Sequence, residues 1–231
     1  MKHRIDISGR LIPNSYKWYF DWLEEDSTCP RDVKEILDKA QIGDEIEVYI
    51  NSPGGIVDVG SEIYTMLRSC ENVKIFITGQ ACSAASVIAM AAHCVMSPTA
   101  LMMIHCAISS ADGNRRTMEH MAETLSTVDK AICTAYMAKT GMDEDEILAM
   151  MERETWLTAD QAKERKFVDG IMFEEEKEEI PFAAGPLSIL PTQEQMNRVK
   201  KMIENAGSQN ADSVFLLQQK LNLMKLKGEK E

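Results

Sequence analysis

The chain has 231 residues, 45% of them hydrophobic, which is enough to bury a sizeable core and too apolar for a disordered segment. Its 25 Lys+Arg against 37 Asp+Glu give a formal net charge of −12, and with no basic stripe to displace phosphate counterions the balance argues against nucleic acid as a partner. From Gly185 onward there are seven basic and five acidic residues, so an acidic body of about −14 precedes a slightly basic tail, which marks the tail as the part that meets a partner.

The opening Met1-Lys-His-Arg-Ile-Asp6 lacks the apolar core of a signal peptide, so a cytoplasmic protein is expected. Residues 4–12 alternate as a short strand, and 30–40 follow a proline with Val33, Ile36, Leu37 and Ala40 on one helical face. Glu45 to Ile50 is a strand that stops at the Asn51-Ser-Pro-Gly-Gly55 loop signal. A helix over 57–67 and a strand over 73–78 follow, then Gly79-Gln-Ala-Cys82 leads into a small-residue helix over 83–92 and a strand over 100–104. Alternation of strands and helices predicts parallel pairing through right-handed crossovers.

A long helix is predicted over 115–139, with Met118, Met121, Leu125, Val128, Ile132 and Ala135 as a core-facing stripe and Gly141 as its stop. Asp143 caps the next helix and Thr158 the one after, and 168–172 closes the domain, which is taken as 1–173. An acidic and Pro-containing linker is expected over 174–191. An amphipathic helical tail over 192–231 follows it, with segments 192–205 and 212–226.

Between Lys74 and Asp112 lie 37 residues, Ile75 to Ala111, without one Asp, Glu, Lys or Arg. At this composition a given window of that length is charge-free with odds of about one in 10⁵. A spanning helix needs about 20 unbroken apolar residues, and this stretch is cut by Gly79, Ser83, His93, Ser97-Pro98 and His105. It therefore reads as buried strands and a helix, with no membrane contact. Six cysteines form no C-x-x-C pair, which argues against a zinc cage, and Cys82 and Cys106 are weighed as nucleophiles but read as small reduced core residues.

Three features inside or beside this window carry chemistry. Pro53-Gly54-Gly55 ends a strand where a backbone N–H can approach a ligand closely. Ser83 opens a helix directly after a strand, as an N-cap, a packing residue, or a nucleophile with the Ala84 amide aimed at a developing oxyanion. His105 ends a buried apolar strand and is either a satisfied core residue or a general base. No G-x-S-x-G elbow surrounds Ser83. Strand ends of an open α/β sheet can nevertheless bring a nucleophile, a base and oxyanion donors together.

The blocks Ile50-Asn-Ser-Pro-Gly-Gly55, Gly79-Gln-Ala-Cys-Ser83 and Met103-Ile-His105 resemble the three signature blocks of the Clp protease proteolytic subunit family, over about residues 5–172. The runs 83–92 and 96–105 are closer to its phage and prophage branch, the head maturation proteases. The resemblance implies an α/β, ClpP/crotonase-like fold of repeated β-β-α units with a long handle helix at 115–139. It also implies a serine endopeptidase without metal or organic cofactor. Ser83, not Ser86, takes the position of the nucleophile, His105 that of the base, and the backbone amides of Gly55 and Ala84 those of the oxyanion donors. The family's acid precedes an aromatic-Leu-Ser/Thr-Ala segment, here Trp156-Leu-Thr-Ala159, which puts Glu154 in that role with Glu152 as fallback.

Protein substrates and a heptameric or double heptameric ring are implied by the same resemblance. Relatives with a AAA+ partner carry an axial segment before their first strand. This chain starts almost at that strand and carries a tail, which favours dedicated capsid or scaffold processing over ATPase docking. The competing expectations are a degradative peptidase working with an unfoldase, and an acyl-CoA enzyme of the crotonase fold.

Overall fold

A ladder of Ile and Val organises the chain. In the computed structural model, which describes residues 1–174, 196–198 and 200–201, three long strands run parallel: β1 (Lys2–Leu11), β3 (Glu45–Gly55) and β4 (Val73–Cys82). Their alternate residues Ile5, Ile7, Val48, Ile50, Ile75 and Ile77 are each no more than 1% exposed, as a period of two demands. The other face carries ion pairs of Lys2 with Glu47 and Lys74 with Glu45, and Tyr49 stacks on Phe76.

Five short strands complete the sheet: β2 (Ser27–Thr28), β5 (His93–Met96), β6 (Leu101–Ile104), β7 (Thr155–Leu157) and β8 (Gly170–Ile171). The order is β2-β1-β3-β4-β5-β8. One edge of β4 serves two strands, with β5 beside Lys74–Ile77 and β6 beside Gln80–Cys82. Every pairing is parallel except that of β6 with β7. The helices are α1 (Lys17–Trp22), α2 (Pro30–Leu37), α3 (Val57–Arg68), α4 (Ala84–Ala89), α5 (Arg115–Thr140), α6 (Glu144–Glu152) and α7 (Ala159–Glu164). Asp143 caps α6 by accepting from the Glu146 N–H, and Thr158 forms a capping box with Gln161.

The charge-free stretch supplies most of β4, all of α4, β5 and β6, and the loop beyond. It is the middle of the core: Ile75, Ile77, Ala85, Ile88, Cys94, Met96, Met102 and Ile104 are fully buried. Among the described residues no helix is long and apolar enough to cross a membrane.

Four expectations are corrected. First, β3 continues through the loop predicted at 51–55 and β4 runs past its predicted end at 78 to Cys82, with register shifts between Ile50 and Ser52 and between Ser8 and Arg10. Second, α4 begins at Ala84 and ends at Ala89, with Ser83 outside the helix. Third, β5 and β7, of four and three residues, and the exposed aromatic α1 were not read from the sequence, being too short for a periodic signal. Fourth, the apolar stripe of α5 enters the core only from Ile132 onward, while Met118 is 42% exposed. The compact unit is Met1–Glu175. The expected linker, beyond Glu174, and most of the tail lie outside the described residues; 196–198 and 200–201 are helical.

Close approach of β3 to β4 near the site depends on a missing side chain. At Gly54, φ is +90° and a Cβ would sit 2.5 Å from the Cys82 carbonyl oxygen and 2.7 Å from Ser83 Cβ. Gly54→Ala should therefore cost about 1–3 kcal/mol of stability. Urea unfolding should show a lower midpoint at unchanged slope, and an unchanged midpoint would contradict the steric account.

Candidate active site

Ser83 sits where β4 ends. Its N–H donates to the Met103 carbonyl at 2.9 Å, tying β4 to β6 beyond the Cys82↔Met103 pair. Its backbone has φ 54° and ψ −130°, a combination that costs a non-glycine residue about 1–3 kcal/mol and persists only where its surroundings hold it. They do so through its carbonyl, which accepts from the Ser86 N–H at 2.9 Å and the Ser86 hydroxyl at 2.6 Å. Ser83 Oγ consequently makes no cap bond to α4 and points to His105 Nε2, 2.8 Å away.

His105 follows the last residue of β6, one strand over from Ser83. The two side chains are brought together by neighbouring parallel strands that both end here. Gly55, at the end of β3, lies against β1: the Leu11 carbonyl accepts from the Ile56 N–H, and a Cβ on Gly55 would fall 2.2 Å from that carbonyl oxygen. Ala84, as the first residue of α4, has an N–H with no acceptor inside its helix. Gly55, Ser83, Ala84 and His105 line one cavity of about 110 Å³, walled on its other side by Val57, Val87, Ile132 and Tyr136. It offers a hydroxyl on an imidazole, two candidate backbone donors and an apolar wall.

The expected acid is placed differently. The β6–β7 register ends at Ile104↔Thr155, and one further step sets Glu154 opposite His105. Glu154 is nevertheless at the corner after α6, with φ 50°, and its carboxylate accepts from the Trp156 indole N–H at 3.3 Å. Among the described residues no carboxylate is hydrogen-bonded to His105, so the expected Glu154–His105 bond is not formed here. Asp129, on α5, instead grips the segment after the histidine: its carboxylate accepts from the Ala107 N–H at 2.7 Å and lies close enough to Cys106 to act on its thiol. Glu152 lies close enough to Cys106 to act on the same thiol. Asp129, Ser86 and Tyr136 carry no motif, and only their three-dimensional partners reveal them. Among the described residues no group of three His, Cys, Asp or Glu side chains is arranged to hold a metal ion.

Comparison with known proteins decides the family. The family model described as Clp protease matches residues 34–175. This chain belongs to the Clp protease family. The family chain is 28% identical over 176 residues to an ATP-dependent Clp protease proteolytic subunit 1 of Chlamydia abortus, covering 73% of this chain and 92% of that one. It is 34% identical over 140 residues to an ATP-dependent Clp protease proteolytic subunit of Bacteroides fragilis, covering 59% and 68%. Among solved structures, a mutant ClpP1 from Listeria monocytogenes superposes with a TM-score of 0.59 at 22% identity, over 74% of this chain and 91% of that one. That likeness establishes the ClpP-like α/β fold. The family match makes this Clp protease chain a peptidase of the serine class.

The cysteines beside the site are poor rivals to Ser83. Burial first, and then Asp129, push the Cys106 thiol up to about 11, and burial raises that of Cys82 as well. At pH 8 a thiol of that kind is only about one part in 10³ thiolate. Iodoacetamide should therefore alkylate Cys106 at pH 8 roughly two orders of magnitude more slowly than a free thiol, with the rate rising about tenfold per pH unit toward pH 11. Rapid alkylation at pH 7, followed by peptide mapping, would return Cys106 to contention.

Proposed function

We propose that this Clp protease is a serine endopeptidase with Ser83 as nucleophile and His105 as general base. The observation that carries it is the 2.8 Å contact of Ser83 Oγ with His105 Nε2 in the lining of the cavity. Ser83 Oγ forms a bond to the substrate's carbonyl carbon while its proton passes to Nε2. The carbonyl electrons move onto oxygen, where the Gly55 and Ala84 N–H groups receive the charge. As the tetrahedral intermediate collapses, the C–N bond breaks and the imidazolium gives its proton to the leaving amine. Water, deprotonated by His105, then releases the acyl group from Ser83.

Glu154 is the orienting acid in this reading. What supports this is the β6–β7 register, in which the step beyond Ile104↔Thr155 would pair Glu154 with His105; the reaction requires its carboxylate to turn away from Trp156. An imidazolium without that charge costs a serine hydrolase up to about 10⁴ in rate. Glu154→Gln should therefore slow labelling by a fluorophosphonate probe about 100-fold or more, while Glu152→Gln stays within about threefold of wild type. The reverse order would move the role to Glu152.

The substrates we propose are capsid or scaffold proteins, cut in the cytoplasm during head assembly. What supports this is the likeness of 83–92 and 96–105 to the phage branch, together with the basic tail as a docking arm. A homo-oligomeric ring, single or double, belongs to the same reading. The exposed Met118, on the half of α5 that buries no residue, supports it as a handle that meets a second copy. The relatives named ATP-dependent favour a second reading, a degradative peptidase working with an unfoldase. The acyl-CoA alternative finds no support in a serine–histidine pair it has no use for. Co-expression with candidate capsid and scaffold proteins should yield truncated products by intact-mass spectrometry with wild type and none with Ser83→Ala. Intact capsid proteins, with ATP-stimulated hydrolysis of a folded tagged protein in the presence of an unfoldase, would instead establish the second reading.

A further inference from the structure

We propose that Ser86 and Tyr136 are positioning residues that lock the Ser83–Ala84 peptide plane with its N–H facing the reacting carbonyl. This rests on the reading of Ser83 as nucleophile and Ala84 N–H as oxyanion donor. The two groups that must be set apart, the Ser83 carbonyl and the Ala84 N–H, belong to one planar unit. That unit is trans, so its carbonyl and N–H point in opposite directions. Whatever holds the carbonyl aims the N–H.

What holds it is a directed chain. A carbonyl oxygen has no proton to give, so in the 2.6 Å contact Ser86 Oγ–H donates to Ser83 O. Ser86 has then spent its only hydroxyl proton, and the proton in its 2.8 Å contact with Tyr136 Oη comes from the tyrosine. The relay runs Tyr136 O–H to Ser86 O–H to Ser83 C=O. Both hydroxyl-bearing residues of the relay are buried: Ser86 is 0% and Tyr136 1% exposed. Burial also pushes the Tyr136 hydroxyl upward, keeping it protonated and a donor. Hydrogen bonds in such a chain polarise one another. Drawing electrons toward the Ser83 oxygen makes the Ala84 N–H at the other end of the peptide a better donor.

The opposite end is where it should be. Ala84 shares the cavity with Gly55, Ser83 and His105, and its nitrogen lies 3.1 Å from the point where a Gly54 Cβ would stand, facing the end of β3. The Ser83 φ of 54° is the backbone strain this arrangement sustains. Ser86 is thus no rival nucleophile: its hydroxyl is buried and committed on both sides. Tyr136 comes from α5, so the handle helix reaches the oxyanion peptide through one side-chain bridge.

The test is the kinetics of phosphonylation by a fluorophosphonate probe, in the full chain, separated into maximal rate and half-saturating concentration. Tyr136→Phe, which removes one oxygen, should lower the maximal rate about five- to tenfold and leave the half-saturating concentration unchanged. Ser86→Ala should lower it about 30- to 100-fold. Because Tyr136 acts through Ser86, the double variant should be no slower than Ser86→Ala within about a factor of two. A purely structural role would move the unfolding midpoint without this split or this non-additivity. Should Ser86→Ala fail to fold, Ser86→Cys, of similar volume with a weaker donor, takes its place in the cycle. Tyr136→Phe labelling at the wild-type rate overturns the proposal, as does an equal loss from Tyr136→Phe in both backgrounds or an effect confined to the half-saturating concentration. If wild type and Ser83→Ala label equally, the nucleophile reading itself has failed. With Ser83-dependent labelling intact, only the relay is at stake.

Discussion

The peptide between Ser83 and Ala84 is the constraint on which the rest of the site depends. Its carbonyl is pinned by two bonds from Ser86, its preceding N–H by the Met103 carbonyl, and its side chain by His105. Four attachments around one residue explain how a serine is held at φ 54°, a conformation that relaxes wherever it is not over-determined. They also explain why three strands have to end together. β4 brings the serine, β6 brings both Met103 and His105, and β3 brings glycines that let the chains approach where a methyl group would collide.

The absence of charge from Ile75 to Ala111 then acquires a physical role. Small, uncharged residues allow α4 to pack directly on the sheet, with Ala84, Ala85, Ser86, Val87, Ile88 and Ala89 all buried. In so dry a setting the dipoles around Ser83 act with little screening. Charge is supplied only from the rim: Asp129 from α5 holds the segment beyond His105, and Glu152 and Glu154 stand at the corner between α6 and β7. Lys139 adds a second tie between α5 and the sheet, bonding the Ala92 carbonyl and Asp169, which itself accepts from the Cys94 N–H. The helix that carries Asp129 and Tyr136 is thereby anchored at its base.

Much of this was legible in the sequence, for identifiable reasons. Alternating Ile and Val in 45–50 and 73–78 mark strands with one buried face, the helix between them implies parallel pairing, and the caps at Asp143 and Thr158 have local chemistry that no distant contact overrides. Ser83 and His105 stand out as candidates because each is at a strand end in an apolar run, while their roles come from the family resemblance. Illegible features were those set by distant partners. Glycines read as a turn at 54–55 are the continuation of a strand, because the neighbours they accommodate, Leu11 and Ser83, are remote in sequence. Tyr136 looks like any core aromatic on an amphipathic helix; its bond to Ser86 spans fifty positions. Glu154 shows the limit of motif spacing: register brings its backbone beside His105, while a positive φ and a nearby indole decide where the carboxylate goes.

The most direct test of the account is a crystal structure of the protein after reaction with a fluorophosphonate. The expected result is phosphorus bonded to Ser83 Oγ, with the phosphoryl oxygen about 2.7–3.1 Å from both the Gly55 and Ala84 nitrogens and the Ser83 carbonyl still on Ser86. An adduct on any other side chain, or a phosphoryl oxygen turned away from those two amides, would contradict it.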